Sequence, residues 1–180
     1  MSKRTSFLVF NFLGLQITWA ACAYGATHQF PMLGVIVGAM YIIAHFMFTP
    51  TFRQDLFVML VIGGFGIIID HINTHLNLIS FIESETMTTV IPLWLMSLWL
   101  VFSLMLPHSL GWLRKNMRLA AVLGGIGGSF SYWLGHKLGA IILAEPLYMS
   151  VGIYFIQWAI IVPIAYMIMQ ARETRILNQT

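Results

Sequence analysis

The sequence predicts an all-α integral membrane bundle of six transmembrane helices, arranged as three sequential in-out-in hairpins with both termini on the cytoplasmic side. Three observations carry this expectation. First, 59% of the 180 residues are hydrophobic and only 8% are charged, with a mean hydropathy of +0.84. A soluble domain carries about 25% charged residues, and so few charges cannot cover a water-facing surface. Second, one span needs roughly 20 mostly apolar residues, so a chain of this length holds about six spans joined by short turns. That leaves a single transmembrane domain over 1–180 and no separate soluble domain. Third, Lys3, Arg4, Arg53, Arg114, Lys115, Arg118, Arg172 and Arg175 all fall on one side of such a layout. The positive-inside rule makes that side cytoplasmic, and an odd number of spans would spoil the separation.

The spans are expected at residues 7–26, 31–49, 56–77, 91–107, 119–139 and 147–169. The first follows Ser2-Lys3-Arg4 and also fits a signal peptide, with Trp19-Ala20-Ala21-Cys22 similar to a lipoprotein processing site. The apolar run continues past Cys22 to Ala26, which favours an uncleaved first helix. Cys22 is the single cysteine and excludes an intrachain disulfide. Pro31, Pro92 and Pro146 open the second, fourth and sixth spans, where a missing N–H costs least. Gly63-Gly64-Phe65-Gly66 in the third span and Gly124-Gly125-Ile126-Gly127 in the fifth repeat the same composition. The repetition suits a duplicated hairpin, although glycine in spans is common by itself. In the third connection, Leu78 to Ile82 is expected to lie along the membrane interface before Glu83-Ser84-Glu85. The outer side then holds Glu83, Glu85 and Glu145, with Lys137 its one basic residue.

Chemistry concentrates in the third span, which reads Asp70-His71-Ile72-Asn73-Thr74-His75. A carboxylate within a span costs several kcal/mol unless paired, neutralised or hydrated. Counted from Leu56, Asp70 lies roughly 21 Å into a core about 30 Å thick. His71 and His75, spaced i, i+4, share a helix face and offer two ligands to a divalent metal. Asp70 and His136 are the candidates to complete that set. Two other readings compete with it: a polar helix end bonded to headgroups and water, and a hydrated proton or substrate path. Lys137 sits at a depth similar to that of Asp70, which permits an Asp70–Lys137 ion pair, or else it snorkels to the outer headgroups.

Gly124, Gly128, Ser131, Gly135 and Gly139 form a small-residue ridge along the fifth span, expected to admit a closely packed helix from the bundle or a second protomer. Gly63, Gly64 and Gly66 are the expected matching surface. A cavity beside Tyr132, Trp133 and His136 is the alternative. His45 and His108 both fall toward the cytoplasmic ends of their spans, where they can pair. No nucleophile elbow, zinc-protease motif or nucleotide fingerprint is present. The basic residues are scattered between apolar runs, which is the pattern of topology signals and not of nucleic-acid binding.

Pro92-Leu93-Trp94-Leu95 opening the fourth span and His108-Ser109-Leu110-Gly111-Trp112-Leu113 closing it, together with Asp70 and the Gly-rich spans, resemble the bacterial family catalogued as domain of unknown function 2878. The resemblance covers essentially the whole chain. It implies a Gram-negative inner-membrane location and no established activity, and it adds His108 and Ser109 to the candidate residues.

Three functions fit these features. The first is a nonenzymatic membrane component that binds a lipid or small amphiphile, or supports a membrane partner. The second is a membrane-embedded, metal-dependent lipid-modifying enzyme using Asp70, His71, His75 and His136. The third is a small transporter with Asp70 and Lys137 lining its path. The first needs only packing and polar pockets and is preferred; the sequence names no cofactor.

Overall fold

The structure, a computed structural model, describes residues 2–81 and 91–178. Six helices account for most of it: α1 (Lys3–Thr27), α2 (Met32–Phe48), α3 (Phe52–His75), α4 (Leu93–Met105), α5 (Met117–Leu138) and α6 (Leu147–Leu177). Of these, α1, α3 and α6 are long and apolar enough to cross a bilayer, while α2 and α4 are shorter apolar helices. Local chemistry explains their ends. The Ser2 hydroxyl accepts from the Thr5 amide at the start of α1, and the Asn116 side chain does the same for Leu119 at the start of α5. Pro31, Pro92 and Pro146 occupy the N-cap positions of α2, α4 and α6. Gly139, at φ 83°, ends α5 in the left-handed conformation that favours glycine.

α4 is the central helix. Trp94, Leu95, Ser97, Trp99, Val101, Ser103, Leu104 and Met105 are all buried, as expected of a helix that is apolar on every side. Its neighbours approach it closely. A Cβ on Gly66 of α3 would lie 2.0 Å from the Trp99 ring, and one on Gly128 of α5 would lie 2.0 Å from the Trp158 ring of α6. Trp99 and Trp158 stack on each other with centroids 4.8 Å apart. Two glycines therefore clamp a pair of indoles at the centre of the bundle. The expectation that Gly63, Gly64 and Gly66 face the α5 ridge is corrected here. Gly63 and Gly66 seat Leu100 and Trp99 of α4, and Gly64 has no neighbour within 4 Å.

Large apolar side chains cover the outside, among them Phe12 and Ile17 on α1, Met40 on α2, Ile68 on α3, Ile126 on α5 and Ile160 on α6. Asn11, His45, Asp55, Asp70 and Asn73 are buried. This distribution is inverted relative to a water-soluble protein and suits a lipid surround.

Arg114 forms a two-point pair with Glu173, at 2.8 and 3.3 Å, and Gln54 donates to the same carboxylate. Arg172 lies over the Phe57 ring and donates to the Arg53 carbonyl. These contacts gather Arg53, Arg114 and Arg172 at one end of the bundle, the basic end. At the opposite end, β1 (Ile79–Ser80) pairs antiparallel with β2 (Ile142–Leu143), tying the connections after α3 and α5 together. Ile79 is thus buried in a strand, within the stretch that the sequence placed along the membrane interface. The acidic pair Glu83 and Glu85 falls outside the described residues.

Candidate functional site

Asp70 is fully buried toward the bundle interior. Its Oδ2 accepts from the Trp99 indole at 2.6 Å and from the Tyr132 hydroxyl at 2.5 Å, and its Oδ1 accepts from Asn73 Nδ2 at 3.3 Å. Asn73 is fixed in turn by a reciprocal amide pair with Gln157, at 3.1 and 2.8 Å. Helices α3, α4, α5 and α6 all contribute to this network. Tyr132 stacks on Tyr154 at 4.1 Å. Each donor to Asp70 is neutral.

The remaining residues predicted around Asp70 do not join it. Successive helical positions point about 100° apart, so His71 and His75 lie away from the carboxylate, with their Nε2 atoms 3.1 Å from each other. His136 turns to the opposite-end ladder, where its Nδ1 accepts from the Leu143 amide at 3.3 Å. Lys137 is exposed, and no Asp70–Lys137 ion pair forms among the described residues. Asp70, His71, His75 and His136 therefore do not present three ligand atoms to one ion; the constellation among the described residues that does is elsewhere.

That constellation is at the basic end. His45 on α2 and His108 after α4 both direct Nε2 to the same oxygen of Asp55, at 3.0 and 2.9 Å. The Thr49 hydroxyl also donates to this oxygen, and Thr51 donates to the other at 3.1 Å. His45 and Asp55 are completely buried, and 11% of the His108 side chain is exposed. Phe7 of α1 packs on both imidazoles, with centroids 5.5 Å from His45 and 4.9 Å from His108. Behind His45 the network continues through Tyr41, 3.4 Å from Nδ1, to Asn11, whose amide donates to Tyr41 and to the Leu104 carbonyl. Ser109 closes the chain by donating its hydroxyl and amide to Asn11 Oδ1 at 2.6 and 3.2 Å. All four hydrogen-bonding positions of the Asn11 amide are thereby filled.

The sequence suggested that His45 and His108 meet, and they do so through Asp55, which sequence reasoning passed over as part of the connection from Pro50. A signal was present. Asp55 and Glu173 are the two acidic residues on the otherwise basic side, and each is bonded there to conjugate partners. On α5, Gly124 and Gly128 seat Val162 and Trp158 of α6, Ser131 accepts from Trp19 of α1 at 2.7 Å, and Gly135 lies against Ile141. The ridge therefore serves three neighbours.

Between α1, α4, α5 and α6 lies a cavity of about 420 Å³, a size typical of small-molecule sites. Trp19, Trp94, Trp99, Trp112 and Trp158, five of the six tryptophans, line it together with Tyr132 and the glycines Gly124, Gly127 and Gly128. Gln16 and Ser131 supply polar groups. Trp94 is 4% exposed, and its Nε1–H has no hydrogen-bond partner among the described residues. Phe130 and Leu123, both exposed, mark where the cavity reaches the outer surface. The Trp19–Ser131 bond crosses between α1 and α5 at its wall. Asp70 stands behind the cavity and fixes two of its lining aromatics, Trp99 and Tyr132.

A search of curated proteins and a search of solved structures each returned no match. The segment from residue 8 to residue 164 matches the family described as Protein of unknown function (DUF2878). It includes both buried aspartates, the cavity lining and the Pro92–Leu95 and His108–Leu113 stretches, and the chain belongs to that family.

Proposed function

We propose that this chain is a six-span protein of the bacterial inner membrane, with both termini cytoplasmic, that binds a lipid-like amphiphile in the cavity between α1, α4, α5 and α6. The observation that carries the reading is the cavity itself: enclosed by aromatic rings, open toward the outer apolar surface, and supplied with few polar groups. Three lipid-length apolar helices, the outward apolar side chains and the collection of arginines at one end support the membrane placement. α4 is too short to span alone, at roughly 20 Å for its length, but as the central helix it is screened from lipid by its neighbours.

The energetics set what such a site can select. An acyl chain arriving from the bilayer leaves one apolar medium for another, so little hydrophobic transfer energy is gained. Selection then rests on fit against the indoles and on a polar end group that accepts from Trp94 Nε1–H or bonds Gln16. The ligand class is accordingly an amphiphile with one apolar chain or ring system and an acceptor head.

Gly127 provides the test. It lines the cavity, and a Cβ placed there meets nothing within 4 Å, so Gly127→Leu is expected to narrow the site while leaving intact the packing that Gly128 makes with Trp158. Gly152→Leu, also unobstructed but outside the cavity, is the control. A brominated fatty acid titrated into detergent-purified protein is expected to quench tryptophan fluorescence saturably in wild type and Gly152→Leu, and at least about tenfold more weakly in Gly127→Leu. Equal, non-saturating quenching in all three proteins would remove the proposal.

A further inference from the structure

We infer that His45, Asp55 and His108 form a binding site for a divalent transition-metal ion of the zinc class, at the basic end of the bundle and independent of the amphiphile reading. The Asp55 carboxylate is crowded. Three donors, two imidazole N–H groups and the Thr49 hydroxyl, converge on one carboxylate oxygen that is completely buried. Placing a cation between the same atoms, with each imidazole in the tautomer that carries its proton on Nδ1, keeps Nε2, Nε2 and Oδ2 as ligands and changes the two N–H donors into lone-pair donors.

The geometry is close to what that requires. All three ligand atoms lie within 4.8 Å of one another. Tetrahedral zinc with bonds near 2.0–2.1 Å separates its ligands by about 3.3 Å. The His–Asp distances of 3.0 and 2.9 Å need to open by only a few tenths of an ångström, which side-chain torsions can supply. The supporting shell is also present. Thr51 holds the other Asp55 oxygen, Tyr41 hydrogen-bonds His45 Nδ1, and Phe7 packs on both rings. Outer groups of this kind orient ligands and tune affinity. Two imidazoles and one carboxylate favour zinc and its first-row neighbours over magnesium or calcium, which prefer all-oxygen shells. Three protein ligands leave a fourth position open.

A competing zinc site must be removed before the test. His71 and His75 approach each other at the bundle surface and can bind zinc adventitiously. The experiment therefore uses the full-length chain with His71→Ala and His75→Ala, purified in detergent, stripped with a chelator and titrated with Zn²⁺ by calorimetry, with Mg²⁺ in parallel. One Zn²⁺ per chain is expected, with no Mg²⁺ response. His108→Ala, at the partly exposed ligand, is expected to weaken zinc binding by at least about a hundredfold, and Thr51→Val, in the outer shell, by about tenfold to a hundredfold. Co²⁺ is expected to give the visible spectrum of a nitrogen–oxygen tetrahedral site, lost in His108→Ala. Circular dichroism and gel filtration identify any variant that fails to fold, and Thr51→Val and the Co²⁺ spectrum of the His71/His75 double variant stand without the ligand variants. No saturable zinc binding by the His71/His75 variant, or binding unchanged by His108→Ala, would overturn the inference.

Discussion

Helix α3 carries two completely buried aspartates, Asp55 near its start and Asp70 near its end, roughly 20 Å apart along the axis. The π-turn at Met59–Gly63 lies between them, a feature often found where a helix serves a site. Their surroundings differ in kind. Asp70 is held by an indole, a phenol and an amide, groups that donate hydrogen bonds and do little else at neutral pH. Asp55 is held by two hydroxyls and by two imidazoles, and imidazoles exchange protons and bind metals. Burial alone therefore does not mark a reactive carboxylate. Asp70 is arranged to position aromatic rings, whereas Asp55 sits where chemistry can be exchanged.

Substitutions can break this contrast. Asp70→Ala should have the largest effect, because it leaves the Trp99, Tyr132 and Asn73 donors without an acceptor inside the bundle. A loss of about 3–5 kcal/mol is expected, measured by reversible unfolding in mixed micelles. A loss under about 1 kcal/mol would show that the network is not what holds α3 to α4 and α5.

Asp70→Asn should cost about 2 kcal/mol, and here the two sites diverge most instructively. An amide oxygen can still accept from Trp99 and Tyr132, but its NH₂ then faces Asn73 Nδ2, which the Gln157 pair prevents from turning. Asp55→Asn in metal-free protein should cost only about 1 kcal/mol, since the Thr51 hydroxyl can rotate to accept from the new amide. If the order of these two losses is reversed, the assignment of a rigid site and an adaptable one fails.

Smaller effects sharpen the picture. Tyr132→Phe removes one of the two donors on Asp70 Oδ2 while keeping the stacking on Tyr154, and should cost about 1 kcal/mol by the same unfolding assay. Lys137→Ala should change stability by less than about 0.5 kcal/mol, because the side chain is exposed and unconnected to Asp70. A larger loss would mean that the lysine supports the buried carboxylate in a way its position does not reveal.

The residues at these sites differed in how readily they could be found. Asp70 stands out because a carboxylate within an apolar run is costly wherever it points, and that cost is visible in the sequence. Its partners are not visible, since Trp99, Tyr132 and Gln157 come from three other helices: Trp99 reads as a belt or packing residue, and Tyr132, although placed beside a candidate cavity, carries no sign of bonding Asp70. The i, i+4 spacing of His71 and His75 correctly puts them on one face, but spacing does not say which face looks inward. Asp55 was obscured by its place at a helix start just after Thr49 and Thr51, where an acid needs no special reason. Being one of two acids on the basic side singles it out, but its partners appear only when α2 and the end of α4 bring histidines from ten residues before and 53 residues after.

The sequence by itself determined the six helices, the prolines that start three of them, the apolar outer surface and the separation of basic residues toward one end. These follow from local periodicity and from the cost of placing charge in an apolar run, both of which act over a few residues. Tertiary structure alone decided that Asp70 faces Trp99 and Tyr132 instead of Lys137, that Ile79 and Leu143 pair in a ladder, that five tryptophans enclose a cavity, and that two distant histidines share Asp55. Those outcomes depend on the rotation of each helix about its axis and on which neighbours its small residues admit. Such choices are set by packing the whole bundle at once, and no local stretch of sequence contains them.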